Sequence, residues 1–299
     1  MIEVVGFGLA GACVALQLQN HGHEVRVVDD GRGGSTRVAA GLVNPVAGPN
    51  FEPSWEVEDA WKVALSFYRD LEELSGQSFY HKVPILRLWR DEKDRAKFEK
   101  KRERLEKWVS EVTDEGVTWH GGGWMETRKF LAAAKKIFLS RGGVWAVEEI
   151  GERQIRCTGA AGLISEEFSG VEHRSAKGEI LTVRIPRWNE MRILNRSGWV
   201  IPLGDNVYRV GATYEWDELE SGPTPEGREK IETLLRTFTE REFEVIDHQA
   251  GIRPIINRSK PVVKFDQSMG WMVNGLGSKG VIYAPRVGLE MVERERRVL

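Results

Sequence analysis

The sequence predicts an α/β fold on three observations. It opens on an apolar strand, a glycine-rich turn, a helix-forming stretch and a second apolar strand (MIEVVGFGLAGACVALQLQNHGHEVRVVDD). Helix-like and strand-like patterns then alternate to the C-terminus, where another glycine-rich turn precedes another helix-like run. The 299 residues, 41% of them apolar, are enough to bury one large core or two ordinary ones.

In the N-terminal unit, Ile2 to Val5 reads as a strand, and Gly6-Phe7-Gly8-Leu9-Ala10-Gly11 turns directly into a helix. Small residues at Ala10, Gly11, Ala12 and Ala15 let that helix lie close to a sheet, and Gly22 ends it. Glu24 to Val28 reads as a parallel second strand with Asp29 at its end. Each glycine has a role in holding a dinucleotide. Gly6 permits the tight turn, Gly8 lets backbone approach a pyrophosphate, and Gly11 permits close helix–strand packing. The helix N-terminus presents free N–H groups and partial positive charge to phosphate. Asp29 can accept hydrogen bonds from an adenosine ribose.

Composition narrows the partners. The net charge is −2, with 43 Lys and Arg against 45 Asp and Glu, so no sequence-wide basic field attracts nucleic acid or anionic lipid. Neither a nucleic acid nor a membrane is an expected partner. Cys13 and Cys157 lie among apolar neighbours and lack metal-ligand spacing, so they read as buried thiols, and no metal is expected. Strand character begins at Ile2 with no leader-like segment, and no apolar run has membrane-span length, so a cytoplasmic protein is expected. The 11 tryptophans read as fillers of core and domain interfaces.

Further along, Asp59 to Leu74 reads as an amphipathic helix with Ala60, Val63, Phe67 and Leu71 on one face, and Val83 to Trp89 as a strand. Asp91 to Val109 is highly charged, with Phe98, Leu105 and Trp108 at helical spacing. Its interleaved charges read as a solvated helix, not a nucleic-acid arm. Thr127 is expected to cap a helix through Ser140, and Pro223 to Arg241 reads as a helix. Strands are expected over Ile150–Cys157, Glu179–Ile185 and Val207–Tyr214.

The segment from Asp30 to Pro45 is small, polar and glycine-rich where a plain nicotinamide-dinucleotide domain usually begins another strand–helix unit. Ser35 and Thr36 can donate hydroxyls to phosphate, and Ala39, Ala40 and Gly41 let a flat ring pass close to backbone. With these residues the chain resembles the FAD-dependent D-amino acid oxidase/glycine oxidase/sarcosine oxidase superfamily. The likeness continues through IRCTGAAG (155–162), HRSAKGEIL (173–181, without the family's prolines), YRVGATYEW (208–216), GIRPIINRSKPVV (251–263) and NGLGSKGVIYAPRVG (274–288).

The resemblance implies a two-domain architecture. A Rossmann-like FAD-binding domain would take 1–78, 122–165 and 251–299, and a smaller, mostly antiparallel β-sheet substrate domain would take 79–121 and 166–250. It implies cofactor contacts from Gly6, Gly8, Leu9, Ala10, Gly11, Asp29, Asp30, Ser35, Thr36, Arg37, Ala39, Ala40, Gly41, Leu42, Thr158, Gly159, Arg253, Gly275, Leu276, Gly277, Ser278, Lys279 and Gly280. Position 36–37 is Thr-Arg rather than His, and neither cysteine lies in the C-terminal turn, so the FAD is expected to be non-covalent. The residues themselves favour a flavin. Two helix starts able to stabilise negative charge, one at each end of the chain, suit a ligand with an anionic pyrophosphate and a ring that becomes anionic on reduction. A nicotinamide has no such ring state.

The expected chemistry is oxidation of the C–N bond of a small amine or amino acid by hydride transfer to flavin N5, with O2 or another acceptor taking the electrons. Such chemistry asks the protein mainly to bind and orient, so no general base is nominated. Arg253 is the candidate for gripping a substrate carboxylate, because its planar fork gives two parallel charged hydrogen bonds. The opposing reading is an arginine paired with a structural acid. Lys279 can place positive charge near the ring. Of Tyr214 and Glu215, strand alternation lets only one face the site. Two other readings stay open: an NAD-dependent dehydrogenase on the same cradle, and a related flavoprotein of tRNA modification or biosynthesis that is not an amine oxidase.

Overall fold

The computed structural model describes residues 1–31, 34–151, 153–165, 170–219, 222–256 and 260–298. The GIRPIINRSKPVV stretch therefore lies partly outside the described residues. A six-stranded sheet runs in the order Val144–Ala146, Val25–Val28, Ile2–Val5, Gln154–Arg156, Gly270–Asn274, Val262–Asp266. The first five strands are parallel and the last is antiparallel. Ile2–Val5 is buried throughout, as a continuous apolar run in a parallel sheet predicts. Val5 stands opposite Val28 on one side and Arg156 on the other. The turns after these strands therefore open together at the carboxyl edge of the sheet, where ligands of such sheets sit.

The helix Leu9–Asn20 lies on this sheet, and Gly288 of the C-terminal helix Gly280–Val298 packs against it. A Cβ at position 288 would come 2.9 Å from the Cys13 carbonyl oxygen, so two helices from opposite ends of the chain meet at backbone distance. Two further helices close the layer. Thr127–Ser140 accepts a hydrogen bond from Gln19 Nε2 at the Phe138 carbonyl (3.1 Å), and Tyr68 of Val57–Ser75 donates to the Val281 carbonyl (2.9 Å).

The second large sheet has eight strands in the order Glu244–Arg253, Ala176–Arg184, Val207–Gly211, Trp199–Gly204, Ile193–Asn195, Ile85–Leu88, Gly116–Trp119, Val109–Val112. All neighbours are antiparallel except Ile193–Asn195 with Ile85–Leu88. The helix Pro225–Arg236 packs Ile231 and Leu235 into a core with Leu181, Val183 and Val210 on one face. A small third sheet joins Leu42–Val43, Gly123–Met125 and Tyr80–Lys82. Sheet membership crosses two expected boundaries. Tyr80–Lys82 pairs with Gly123–Met125, and Glu244–Arg253 runs through position 250, carrying Arg253 into the eight-stranded sheet.

Three expectations change. The charged stretch 91–109 is not one helix. Glu92–Glu99, Arg102–Leu105 and a 3₁₀ turn Glu106–Trp108 lead into the edge strand Val109–Val112. Phe98 is buried against Phe51, Trp89 and Trp119, so tertiary packing and strand pairing override the helical spacing. Thr127 is the first helical residue rather than the cap, and its buried hydroxyl donates to the Ala39 carbonyl (3.4 Å). The strand expected over Ile150–Cys157 forms only over Gln154–Arg156. Both thiols are buried, and burial pushes their pKa values up, which makes them poor nucleophiles. Among the described residues, no helix is long and apolar enough to cross a membrane.

Candidate functional site

A cavity of about 1050 Å³ runs from the carboxyl edge of the six-stranded sheet to the face of the eight-stranded one. At the first end, Gly6 has φ +91°, and a Cβ there would sit 2.7 Å from the Cys157 carbonyl oxygen. Only glycine satisfies both conditions. A Cβ at Gly11 would overlap the Gly6 carbonyl oxygen, so that residue holds the turn from behind and does not line the cavity. Gly6, Gly8, Leu9 and Ala10 do line it, presenting the first turn of the helix Leu9–Asn20, whose N–H groups have no partner within the helix.

Two side chains fix this turn. Asp29 accepts from Phe7 N (2.7 Å) and from Gly31 N (2.9 Å), and Thr36 Oγ1 accepts from Leu9 N (3.0 Å). Asp29 therefore shapes the glycine turn, while its carboxylate keeps lone pairs for a ribose. Thr36 keeps its O–H to donate toward a phosphate. The helical turn Ser35–Val38 carries Ser35, Thr36 and Arg37 onto the wall, with Asp30 before it and Ala39, Ala40, Gly41 and Leu42 after it. Gly41 has φ +70°, and any Cβ there would overlap the Met125 backbone, to which Gly41 is hydrogen-bonded (Met125 N to Gly41 O, 3.0 Å). Thr158 and Gly159 complete this side, and Gly159 O accepts from the buried Asn274 Nδ2 at 2.9 Å.

The C-terminal turn enters from the opposite direction. Leu276, Gly277, Ser278 and Gly280 line the cavity, and Gly277 N donates to the Pro254 carbonyl (3.1 Å). Gly275 does not line it, since a Cβ there would meet Ile256 at 2.7 Å. Lys279 is also off the wall. It is half-buried, and desolvation lowers its ammonium pKa. Gly275 is packed against Ile256, whereas Leu276, Gly277 and Ser278 stand on the cavity wall.

The eight-stranded sheet supplies the far wall through Gly178, Ile180, Trp199, Gly251 and Arg253. The Arg253 guanidinium donates to the Thr213 carbonyl (3.2 Å) and lies 4.3 Å over the Tyr214 ring. Burial lowers its pKa, and among the described residues it has no carboxylate partner. The structural-acid reading of Arg253 therefore finds no support. Tyr214 faces the cavity, with its hydroxyl 3.4 Å from Ser278 Oγ, whereas Glu215 turns away and accepts from Trp216 N and Asp217 N. Sequence reasoning missed Gly178, Ile180, Trp199 and Asn274. Three of these stand inside quoted motifs (Gly178 and Ile180 in KGEI, Asn274 in NGLG), but nothing in one sequence told which side chains turn inward.

The site fits an elongated dinucleotide. Bare backbone at Gly6 and Gly8 meets one anionic segment, and a second backbone-lined turn at 276–278 stands at the other end of one continuous cavity.

Comparison with known proteins agrees with this geometry. The chain is 18% identical to iminodiacetate oxidase from Chelativorans sp. BNC1 with a TM-score of 0.84, covering 99% of this chain and 95% of that one. It is likewise 18% identical to glycine oxidase from Bacillus cereus, with a TM-score of 0.80 over 100% and 95% of the two chains. Among curated proteins it is 26% identical to a putative thiamine biosynthesis oxidoreductase ThiO from Rhizobium etli, covering 98% of this chain and 95% of that protein. It is 22% identical to the bifunctional protein MnmC of tRNA 5-methylaminomethyl-2-thiouridine biosynthesis from Idiomarina loihiensis, covering 95% of this chain but only 54% of that protein, so it spans about half that relative's length. The family model described as DAO, FAD dependent oxidoreductase, matches residues 2–294, and with that near-complete match the chain belongs to this family of FAD-dependent enzymes.

Proposed function

We propose that this flavoenzyme oxidises the C–N bond of a small amine or amino acid that carries a carboxylate, and that Arg253 binds that carboxylate. The observation that carries the reading is a largely desolvated guanidinium on the cavity wall with one backbone acceptor and, among the described residues, no acid partner. Burying a charge without an ionic partner is costly unless a ligand supplies one. When bound, FAD supplies a hydride acceptor at its ring N5.

The chain's own residues bind and orient. Gly6, Gly8, Asp29 and Thr36 would hold the pyrophosphate and adenosine end, and the 276–278 backbone the ring end. We assign these to the segments 1–78, 122–165 and 251–299. Arg253 would take the carboxylate by two parallel charged hydrogen bonds. Tyr214 flanks the arginine, and Ile180 and Trp199 give an apolar floor that excludes water. Of the three carboxylates on the wall, Asp29 is tied to Phe7 N, Asp30 follows it at the edge of the six-stranded sheet and Glu149 is tied to Arg156, so none is nominated as a base. The substrate amine is accordingly oxidised in its neutral form, with orientation as the protein's main contribution.

The test is anaerobic titration of the FAD-loaded protein with glycine, sarcosine, proline and D-amino acids, beside matched amines lacking the carboxylate. Loss of the flavin absorbance with the acids and not with the matched amines supports the reading. Air-saturated samples would then release H2O2 if O2 is the acceptor. Bleaching by the carboxylate-free amines alone would overturn the role of Arg253. A second reading is favoured by the near full-length likeness to the putative thiamine biosynthesis oxidoreductase: a flavoprotein serving a biosynthetic or tRNA-modifying step. Silence toward the entire panel would favour it.

A further inference from the structure

We propose that Gly178 is a positioning residue that sets the size and charge of the group the site accepts, by leaving the notch in which the Arg253 guanidinium lies. The proposal rests on the reading that Arg253 binds a carboxylate.

Ala176–Arg184 and Glu244–Arg253 are antiparallel neighbours, with Ala176 opposite Arg253 and Gly178 opposite Gly251. Residues 176, 178 and 180 share one face of the strand, and Gly178 and Ile180 are on the cavity wall. The Arg253 side chain runs diagonally back along this face. Its guanidinium comes to rest where residue 178 would carry a side chain: a Cβ built there would overlap Nη1, Nη2 and Cζ together. The other side of the guanidinium is the Tyr214 ring, 4.3 Å from Cζ to ring centroid. Nη1 is tethered to the Thr213 carbonyl at 3.2 Å. Thr213 is itself held to the same strand, because its Oγ1 accepts from Glu179 N (2.9 Å) and its N–H donates to Glu179 O (3.3 Å).

The arginine is thus slotted between bare backbone and an aromatic face, and among the described residues most of its five donors are unspent. A side chain at 178 leaves the sheet intact, because the backbone there is ordinary strand and no left-handed φ is required. What must move is the flexible guanidinium, and the direction open to it is into the cavity, where the substrate's acid end would bind.

Four FAD-loaded proteins test this: wild type, Gly178→Ala, Arg253→Ala and the double variant. Two readouts are the KM and kcat for the best carboxylate-bearing amine, and the dissociation constant of benzoate, a non-oxidisable carboxylate, from its perturbation of the flavin spectrum. Gly178→Ala is expected to weaken benzoate and raise KM about tenfold or more, the scale of a misplaced charge pair. The kcat, FAD affinity and melting temperature should stay near wild type. In the Arg253→Ala background the same substitution should change neither benzoate binding nor KM by more than about twofold, since residues acting as one unit do not add. A full, multiplicative effect of Gly178→Ala in that background, or none in the wild type, overturns the proposal. If benzoate does not bind wild type, or binds Arg253→Ala equally well, the carboxylate reading fails first and the proposal falls with it.

Discussion

The two glycine-rich turns look equivalent in the sequence, yet they are built differently. The N-terminal turn is closed from behind by Gly11, pulled into shape by Asp29 on Phe7 N and Thr36 on Leu9 N, and is seated on a parallel sheet. All of its ties are to other parts of the dinucleotide cradle. The C-terminal turn is tied by Gly277 N to the carbonyl of Pro254, the residue after Arg253, and by Ser278 to the Tyr214 hydroxyl. On the proposed reading, one turn therefore serves the cofactor alone. The other joins the ring end of the cofactor site to the side chains proposed to grip the substrate. If so, damage to the two turns should separate cleanly into cofactor retention and substrate affinity.

The largest expected effect is on the substrate side. Arg253→Ala should raise KM for a carboxylate substrate by a factor corresponding to about 2–5 kcal/mol of lost paired-charge binding. FAD affinity should stay unchanged, because the guanidinium's contacts are with Thr213 and Tyr214. Steady-state kinetics with added FAD, beside an FAD titration, measure both. A loss of FAD with KM preserved would invert the proposed division between the turns.

The next effect falls on the other turn. Gly11→Ala sets a Cβ against the Gly6 carbonyl oxygen, a backbone atom with little room to yield. Overpacking of this kind costs about 1–3 kcal/mol. The expected outcome is a lower melting temperature and weakened FAD binding, with KM of the FAD-saturated enzyme unaltered. Thr36→Val is milder. It leaves Leu9 N without its acceptor at a helix start that water can reach, so a loss of about 0.5–1.5 kcal/mol in FAD affinity is expected by titration. No change would mean that Thr36 only decorates the turn.

The same contrast explains what the sequence revealed. The N-terminal cradle was legible because its physics is local: strand, turn, helix and acid are contiguous, and glycine is demanded by φ at Gly6 and by close approach at Gly11. Asp29 was read as a ribose ligand, but its bond to Phe7 N shows a part in holding the turn that spacing could not reveal. The far wall was only partly legible. Arg253 was singled out through a motif, while Gly178, seventy-five positions earlier, became its neighbour only through antiparallel pairing that is set by the whole sheet. The stretch 91–109 failed for the same reason, since its helical spacing is local and the packing of Phe98 against Phe51 is not. Strands as short as Val144–Ala146 and Gly123–Met125 have too few residues to show a period.

Lys279 gives the smallest effect and the sharpest check on the C-terminal turn. It sits between Ser278 and Gly280, both on the cavity wall, yet is not on that wall itself. Desolvation depresses its pKa below the usual 10.5. A lysine whose folded pKa is depressed binds its proton less readily when folded than when unfolded. Its charge therefore opposes folding, fully so below the folded pKa, and the opposition fades as pH rises through the folded pKa toward 10.5. Lys279→Met should remove that term, giving a melting temperature slightly above wild type at neutral pH, with the gap narrowing in alkaline buffer. KM and the rate of reoxidation by O2 should be unchanged if the ammonium stays off the cavity. A slowed reoxidation with unaltered stability would instead bring Lys279 to the ring, and the C-terminal turn would then be supplying charge to the cofactor as well as backbone.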